Sequence, residues 1–240
     1  MIREHEFNTR WWGARVGILS DPGFFDLSVE TRLDMLAGFA WVEYYAALES
    51  CAAPGKISAA DFYQVDTQIP FRIGLPRIAA TPSVERLRVR TAEVNPFRLS
   101  ADDLAPFKHE RFRFLPGMTE RKLNQRYAQW SNLLIEQQPS WCLEVLDGDT
   151  VEGWFLACMD ERNRFELTLA MLRSGAGISG LLLYQRAMVE YARRGVRVGS
   201  AKFSVTNTPV VNIYSSLGAR FLAPLGCWLW QGGVSESTDA

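Results

Sequence analysis

The clearest periodic stretch is TERKLNQRYAQWSNLLIEQ, where Leu123, Tyr127, Trp130 and Leu134 recur at three- and four-residue intervals. That spacing predicts a helix with one apolar face. Three runs of strand character follow, SWCLEVLDG, TVEGWFLACMD and FELTLAML, with turns at DGDT and DERNR. The short turn between the first two predicts an antiparallel pair. RSGAGISG then opens a second helix, Ile178 to Arg194. Leu181, Leu182, Met188 and Tyr191 line its face, two arginines close it and Gly195 stops it. VRVGSAKFSVTN reads as a strand. A short helix carrying Tyr214 follows, with Thr208 as N-cap, Pro209 as its first residue and Gly218 as its end. RFLAPLGCWLW closes the ordered part. One strand–helix–strand crossover within antiparallel neighbours predicts a mixed sheet.

The N-terminal half is patterned less plainly. WWGARVGIL reads as a strand. Ser28 to Ser50 reads as one long helix, capped by Ser28, with Leu33, Leu36, Phe39, Ala40, Val42 and Tyr44 as its apolar face. Pro54 and Gly55 break it. DFYQVDTQIPFRIGL alternates as a strand through Phe62, Val65, Ile69, Phe71 and Ile73, with Pro70 marking an edge or a break. IAATPSVE reads as a loop and ERLRVRTAE as a half-buried strand. Ser100 and Asp103 have capping-box spacing. The expected organisation is an α/β accessory domain over 1–100, a second domain over 101–232 and a frayed tail over 233–240.

Composition narrows the classes. The 240 residues are 48% hydrophobic and 22% charged, as in soluble globular proteins. A net charge of −1 gives no basic excess for nucleic acid or an anionic membrane. MIREHEF lacks the apolar core of a signal peptide. No apolar run reaches the roughly 18–20 residues that span a bilayer. A cytoplasmic location is the default expectation. The four cysteines, Cys51, Cys142, Cys158 and Cys227, form no CxxC, and His5 and His109 are the only histidines, so no metal is expected. Free, mostly buried thiols in a reducing compartment are the expected state. His109, among the charges of PFKHERFRF, reads as a surface residue.

LTLAMLRSGAGISGLLLYQRAM carries the chemistry. A strand runs into a turn with Gly175, Gly177 and Gly180, then a helix. Small residues there let backbone N–H groups reach a ligand, and the helix N-terminus adds positive potential, which suits a pyrophosphate. The plain alternative is a tight strand-to-helix turn with no ligand. No Gly-Lys-Ser/Thr follows, so it is not a P-loop. Its late position after antiparallel strands does not fit a dinucleotide fingerprint.

From Trp141 to Trp230 the chain resembles the GNAT superfamily of acyl-CoA-dependent acyltransferases. The family's Q/R-x-x-G-x-G/A loop aligns with Ser174-Gly175-Ala176-Gly177-Ile178-Ser179. Arg173 stands one residue early, and Ser179 replaces Gly or Ala. Asn207 ends a strand, Tyr214 follows seven residues on, and YSSLGARF resembles the family's Y-x-x-x-G-F. The resemblance implies an α/β fold with a mixed, mostly antiparallel sheet and flanking helices. It implies acetyl-CoA as co-substrate, held by Leu172, Arg173, Ser174, Gly175, Ala176, Gly177, Ile178, Ser179, Gly180, Asn207 and Asn212. Amides near Ala170 to Leu172 would polarise the thioester carbonyl. Tyr214 would protonate the departing thiolate, since a phenol with a pKa near 10 keeps its proton at pH 7. The alternative for Tyr214 is packing alone.

The N-terminal half resembles the nucleotide-amino-sugar branch of that family, typified by dTDP-fucosamine acetyltransferase. The resemblance lies in TRWWG, in Asp66-Thr67 and in the arginine-aromatic turn with its Tyr-x-x-Trp helix. It implies a small amine acceptor, a nucleotide-linked amino-deoxysugar, met by Arg111, Arg113, Tyr127 and Trp130. Guanidinium groups suit a diphosphate, and a solvated face is the other reading of these arginines. The N-terminal domain could also carry homodimer contacts. Two other functions stay open, acetylation of a different amine and a degenerate acyl-CoA-binding module, the second prompted by the altered glycine loop.

Overall fold

The computed structural model describes residues 1–232, so the tail expected to fray, 233–240, lies outside the described residues. The chain divides into two units, Met1–Ile69 with the segment from Ala223 onward, and Pro70–Leu222. The division expected at residue 100 falls inside the second unit.

The first unit begins with β1 (Ile2–Glu4), α1 (Glu6–Trp12), β2 (Val16–Leu19), α2 (Val29–Leu36), β3 (Trp41–Ala47) and α3 (Pro54–Ser58), followed by the first part of β4 (Tyr63–Gly74). β2 lies antiparallel to β1 and parallel to β3. Three sequence expectations change here. Trp11 and Trp12 end a helix instead of opening a strand, because His5 caps α1 at one end and Gly13, at φ +80°, closes the other. The long helix expected from Ser28 to Ser50 is a short helix and a strand. Gly38 turns the chain at φ +80°, and the aromatic, β-branched run from Trp41 to Tyr45 then pairs as β3. Trp41 to Tyr44 are all buried, so the period of two that marks a half-buried strand is absent and the run mimics a helical face. Pro54 starts a helix as its first residue instead of only ending one.

The second unit continues with α4 (Pro82–Arg86), β5 (Arg88–Thr91), α5 (Glu120–Gln137), β6 (Cys142–Asp147), β7 (Thr150–Met159), β8 (Phe165–Leu172), α6 (Gly180–Arg193), β9 (Val198–Ser204), α7 (Thr208–Ser216) and β10 (Arg220–Phe221). β11 (Leu225–Gln231) returns to the first unit and pairs antiparallel with β3 and β4. Thus the expected final strand is two strands parted at Pro224. Pro82 to Arg86, expected as loop, is the short helix α4. β5 to β8 form consecutive antiparallel pairs, and β8 and β9 are parallel, so the sheet is mixed as expected.

The two faces of this sheet are covered by different helices. Phe155 and Ala157 of β7 pack with Leu183, Tyr184, Ala187, Met188 and Tyr191 of α6. Trp154 and Leu156, pointing the other way, pack with Tyr127, Ala128, Leu134 and Ile135 of α5. Tyr191 is fully buried, and its hydroxyl donates to the carbonyls of Trp141 at 2.8 Å and Phe155 at 3.1 Å, so a polar tip is satisfied inside the core. Among the described residues no helix is long and apolar enough to cross a membrane.

Gly153 lets β7 and β8 approach closely. A Cβ added there would sit 2.5 Å from the Met171 carbonyl oxygen and 3.2 Å from the Leu172 Cα, both backbone atoms. Gly153→Ala should therefore force the strands apart at the end of β8 and cost about 1–3 kcal/mol. Urea unfolding of the variant against wild type checks this, and an unmoved midpoint would show that the contact is slack.

Candidate active site

The site is built on a defect in β8. Gly153 to Leu156 pair with Leu172 to Leu169 in one register, while Cys158 and Met159 pair with Glu166 and Phe165 in another. Between them β7 has one residue, Ala157, and β8 has two, Leu167 and Thr168. This is a β-bulge. Its effect on side-chain direction is direct: Phe165 and Leu167 point into the α6 side of the core, whereas Leu169 and Met171 point to the α5 side. Parallel pairing with β9 is confined to Phe165↔Gly199 and Glu166↔Ser200, the residues just before the bulge. Beyond it the pairing of β8 with β9 stops, so the β9-side edge of β8 from Leu167 to Leu172 is left without a strand partner.

The glycine turn lies at the end of that edge. Arg173 staples it. Its Nε donates to the Val151 carbonyl at 2.7 Å, and its guanidinium also reaches the carbonyls of Ser174 at 3.0 Å and Gly175 at 3.4 Å. Gly175 takes φ +70°, a conformation that glycine adopts without strain. Ser179 caps α6 through Leu182 N–H. The N–H groups of Ser174 and Ala176 donate to the Asp103 and Arg173 carbonyls. The Gly177 N–H donates to the carboxylate of Glu152, a side chain buried in β7. The next four amides, of Ile178, Ser179, Gly180 and Leu181, have no acceptor among the described residues. Four consecutive unclaimed N–H groups at the start of a 14-residue helix fit an anionic group such as a diphosphate.

α7 packs against this start of α6, since a Cβ on Gly180 would meet Ile213 Cδ1 at 3.2 Å. Asn207, and not Thr208, is its N-cap, with the Asn207 side chain accepting from Val210 N–H. Asn can hold the cap because its side chain reaches the third helical amide, which leaves Thr208 as the first helical residue. Asn212 lies on the exposed side of α7. Tyr214 is 4% exposed and ringed by aromatics. Phe71 lies at 3.9 Å, Tyr184 at 5.3 Å and edge-on, and Phe203 at 5.5 Å in parallel stacking. Burial, then the neighbouring Tyr184 and Tyr191 hydroxyls, push its pKa well above 10, so the phenol holds its proton throughout the neutral range. Its hydroxyl has no protein hydrogen-bond partner among the described residues.

The four residues expected to meet the acceptor separate into two kinds. Tyr127 faces inward: its hydroxyl donates to Glu110, and its ring stacks on Phe107 at 3.6 Å. Arg111 pairs with Glu110 at 3.3 Å and is itself only 16% exposed, so it is neither a solvated face nor free for a diphosphate. Arg113 is exposed and donates to the Lys108 carbonyl at 2.9 Å. Trp130 is half-buried beside Tyr127. Burial alone would raise the pKa of Glu110. Arg111, Arg126 and the hydrogen bonds from Tyr127 and Phe112 outweigh it and hold the carboxyl below its usual range. Sequence reasoning missed Arg126, which lies over the rings of Phe112, Tyr127 and Trp130.

It also missed a crossing segment. Asp103 accepts from Ser174 N–H, and Leu104 bridges to Arg173 at the end of β8. Five residues later, His109 Nδ1 lies 3.3 Å from the Thr206 hydroxyl, just beyond β9. The run from Leu104 to His109 therefore spans the ends of the two parted strands. Cys142 is remote from such chemistry, because burial pushes its thiol up to about 12. No cluster of three or more potential metal ligands occurs among the described residues.

The fold as a whole recurs in solved structures. A GCN5-related N-acetyltransferase from Sphaerobacter thermophilus superposes with a TM-score of 0.53 at 18% identity, covering 84% of this chain and 64% of that one. This is the GNAT fold. A GCN5-related N-acetyltransferase from Kribbella flavida gives 0.53 at 12% identity, over 91% of this chain and 82% of its own. A functionally unknown conserved protein from Staphylococcus epidermidis gives 0.54 at 10% identity, over 91% and 84%. The chain thus spans just under two thirds of the Sphaerobacter protein. No family model and no curated protein matches the sequence. At these identities the likeness is one of fold.

The buried Glu110 group gives a test of how the GNAT fold is held beside the gap. Its lowered pKa means that its stabilising contribution is present above the ordinary value of 4.5 and is lost as pH falls through the folded value. Glu110→Gln should cost about 3–5 kcal/mol at neutral pH, because Arg126 stays buried without its partner. The difference from wild type should shrink as the medium is acidified below pH 4.5. Unfolding free energies of both chains between pH 7 and pH 3 measure it, and a constant gap would contradict the assignment.

Proposed function

We propose that this chain transfers an acetyl group from acetyl-CoA to a primary amine. The observation that carries the reading is the run of four unclaimed amides, Ile178 to Leu181, beside the gap between β8 and β9. A diphosphate on those amides would let the pantetheine arm lie along the free edge of β8, between Leu167 and Leu172. Backbone N–H groups near Ala170 to Leu172 would then polarise the thioester carbonyl. The amine attacks that carbon, the C–S bond breaks, and the amine gives up a proton as the amide forms. The thiolate takes the proton of Tyr214, and the proton released by the amine passes through water back to the phenolate. Burial keeps the phenol neutral and makes it a weaker acid, and the same apolar surround raises the cost of a free thiolate beside it, which is what would draw the proton across. Holding both substrates together supplies much of the rate.

The finer reading of the acceptor is a nucleotide-linked amino-deoxysugar. Arg113 and Trp130 are the residues left to support it, since Arg111 and Tyr127 are engaged with Glu110. Turnover with dTDP-amino sugars against simple alkylamines and peptide N-termini decides the class. A second reading is an acyl-CoA-binding module without turnover, prompted by Ser179 at the loop position where the family pattern has Gly or Ala. CoA binding with no acetylation of any of these amines would establish it.

Tyr214→Phe separates acid from packing. The ring contacts with Phe71, Phe203 and Tyr184 need no hydroxyl, so fold and CoA affinity should be kept. The turnover number should fall by roughly 10²–10³-fold. Steady-state kinetics with a turned-over amine, beside calorimetry with CoA, checks it. A turnover number within about threefold of wild type would return Tyr214 to packing.

A further inference from the structure

The Gly177 amide points into the protein. Gly177 is exposed, yet its N–H is directed at Glu152, whose side chain lies under the turn at 5% exposure. A Cβ on Gly177 would be 3.6 Å from both carboxylate oxygens, so the carboxylate sits flat against the backbone there. Among the described residues no cation pairs with Glu152. Arg173, the nearest in sequence to the turn, spends its guanidinium on the carbonyls of Val151, Ser174 and Gly175. A buried carboxylate without a counter-charge is costly to keep. Here it abuts a row of amides that suits an anion.

We propose that Glu152 is an affinity-determining residue of the donor site, an internal anion that withholds one amide from the donor's diphosphate and opposes its charge. The proposal rests on reading the turn and the start of α6 as the donor site. A diphosphate on the amides of 178–181 would come one residue from the amide that Glu152 holds. Like charges in a partly desolvated site repel, and one unit charge at about 10 Å and an effective dielectric near 20 changes binding about ten- to twentyfold. The carboxylate therefore sets a ceiling on affinity for donors that carry a diphosphate. It leaves the pantetheine arm, which is uncharged, unaffected.

The test compares CoA with pantetheine on three chains. E152Q keeps an oxygen for the Gly177 N–H and removes the charge. E152A removes both, and its small side chain guards against a misfit of the amide group. Folding of each is verified by circular dichroism. By calorimetry, E152Q should bind CoA about tenfold or more tighter than wild type, and E152A should also bind it tighter. Pantetheine, measured by competition, should bind all three alike. Wild-type binding of CoA with no gain in either variant overturns the proposal alone. An equal gain for pantetheine also overturns it, because the effect would then not lie at the diphosphate. CoA bound by neither wild type nor variants overturns the donor-site reading and the proposal with it.

Discussion

One extra residue in β8 governs the second unit. Leu167 and Thr168 face a single residue of β7, and everything useful follows from that mismatch. The strand bends, its later side chains change faces, and pairing with β9 stops at Glu166. A regular ladder would have continued to Ala170, opposite Ser204 at the end of β9, and joined the two strands edge to edge. Because backbone donors and acceptors are obligatory bonding groups, an edge left open inside a sheet has to meet something else, water or a ligand. Gly199 takes part in the arrangement, since Leu167 Cδ1 lies where its Cβ would be, at 2.8 Å.

The polar groups around the gap are arranged on different terms. On the α6 side the shell of Tyr214 is aromatic, and burial there keeps its phenol neutral. On the α5 side Glu110, Arg111, Arg126 and Tyr127 form a buried charged group in which each member has a partner. That group fixes the 3-10 turn at Arg111–Phe114 against α5. Charged networks of this kind hold position more than they add stability, because desolvation offsets most of the attraction. Of the two arginines expected to meet a substrate phosphate, Arg111 belongs to this buried group, whereas Arg113 stays exposed.

The sequence made the second unit legible where burial is one-sided or turns are short. The helix at Glu120–Gln137, the antiparallel run of β6 to β8 and the helix after the glycine turn all appear where their periods placed them. Legibility failed where burial is complete. Trp41 to Tyr44 lie buried on both faces, so nothing in their order distinguished strand from helix, and only Gly38 marked the change. Arg111 and Tyr127 were visible as an arginine-aromatic group. Tyr127 engages Glu110 across 17 residues, a contact that no local pattern encodes, and that burial draws in Arg111 beside it. Glu152 did leave a trace, as the one charge inside the apolar run VEGWFLACM, but an isolated glutamate in a strand is ordinarily read as a solvent-facing position. The bulge left none, because Leu167 and Thr168 are both good strand residues.

The crossing segment sets a mechanical limit on the gap. It is fastened to β8 at Leu104 and to the residue pair His109–Thr206 beyond β9. Five Cα steps separate the two fastenings, and a fully extended chain covers at most about 3.6 Å per step. While both hold, the span between them cannot exceed about 18 Å. The run thus acts as a strap of fixed length across the doorway, and anything bulkier must approach from the side or unfasten the exposed end at His109 first.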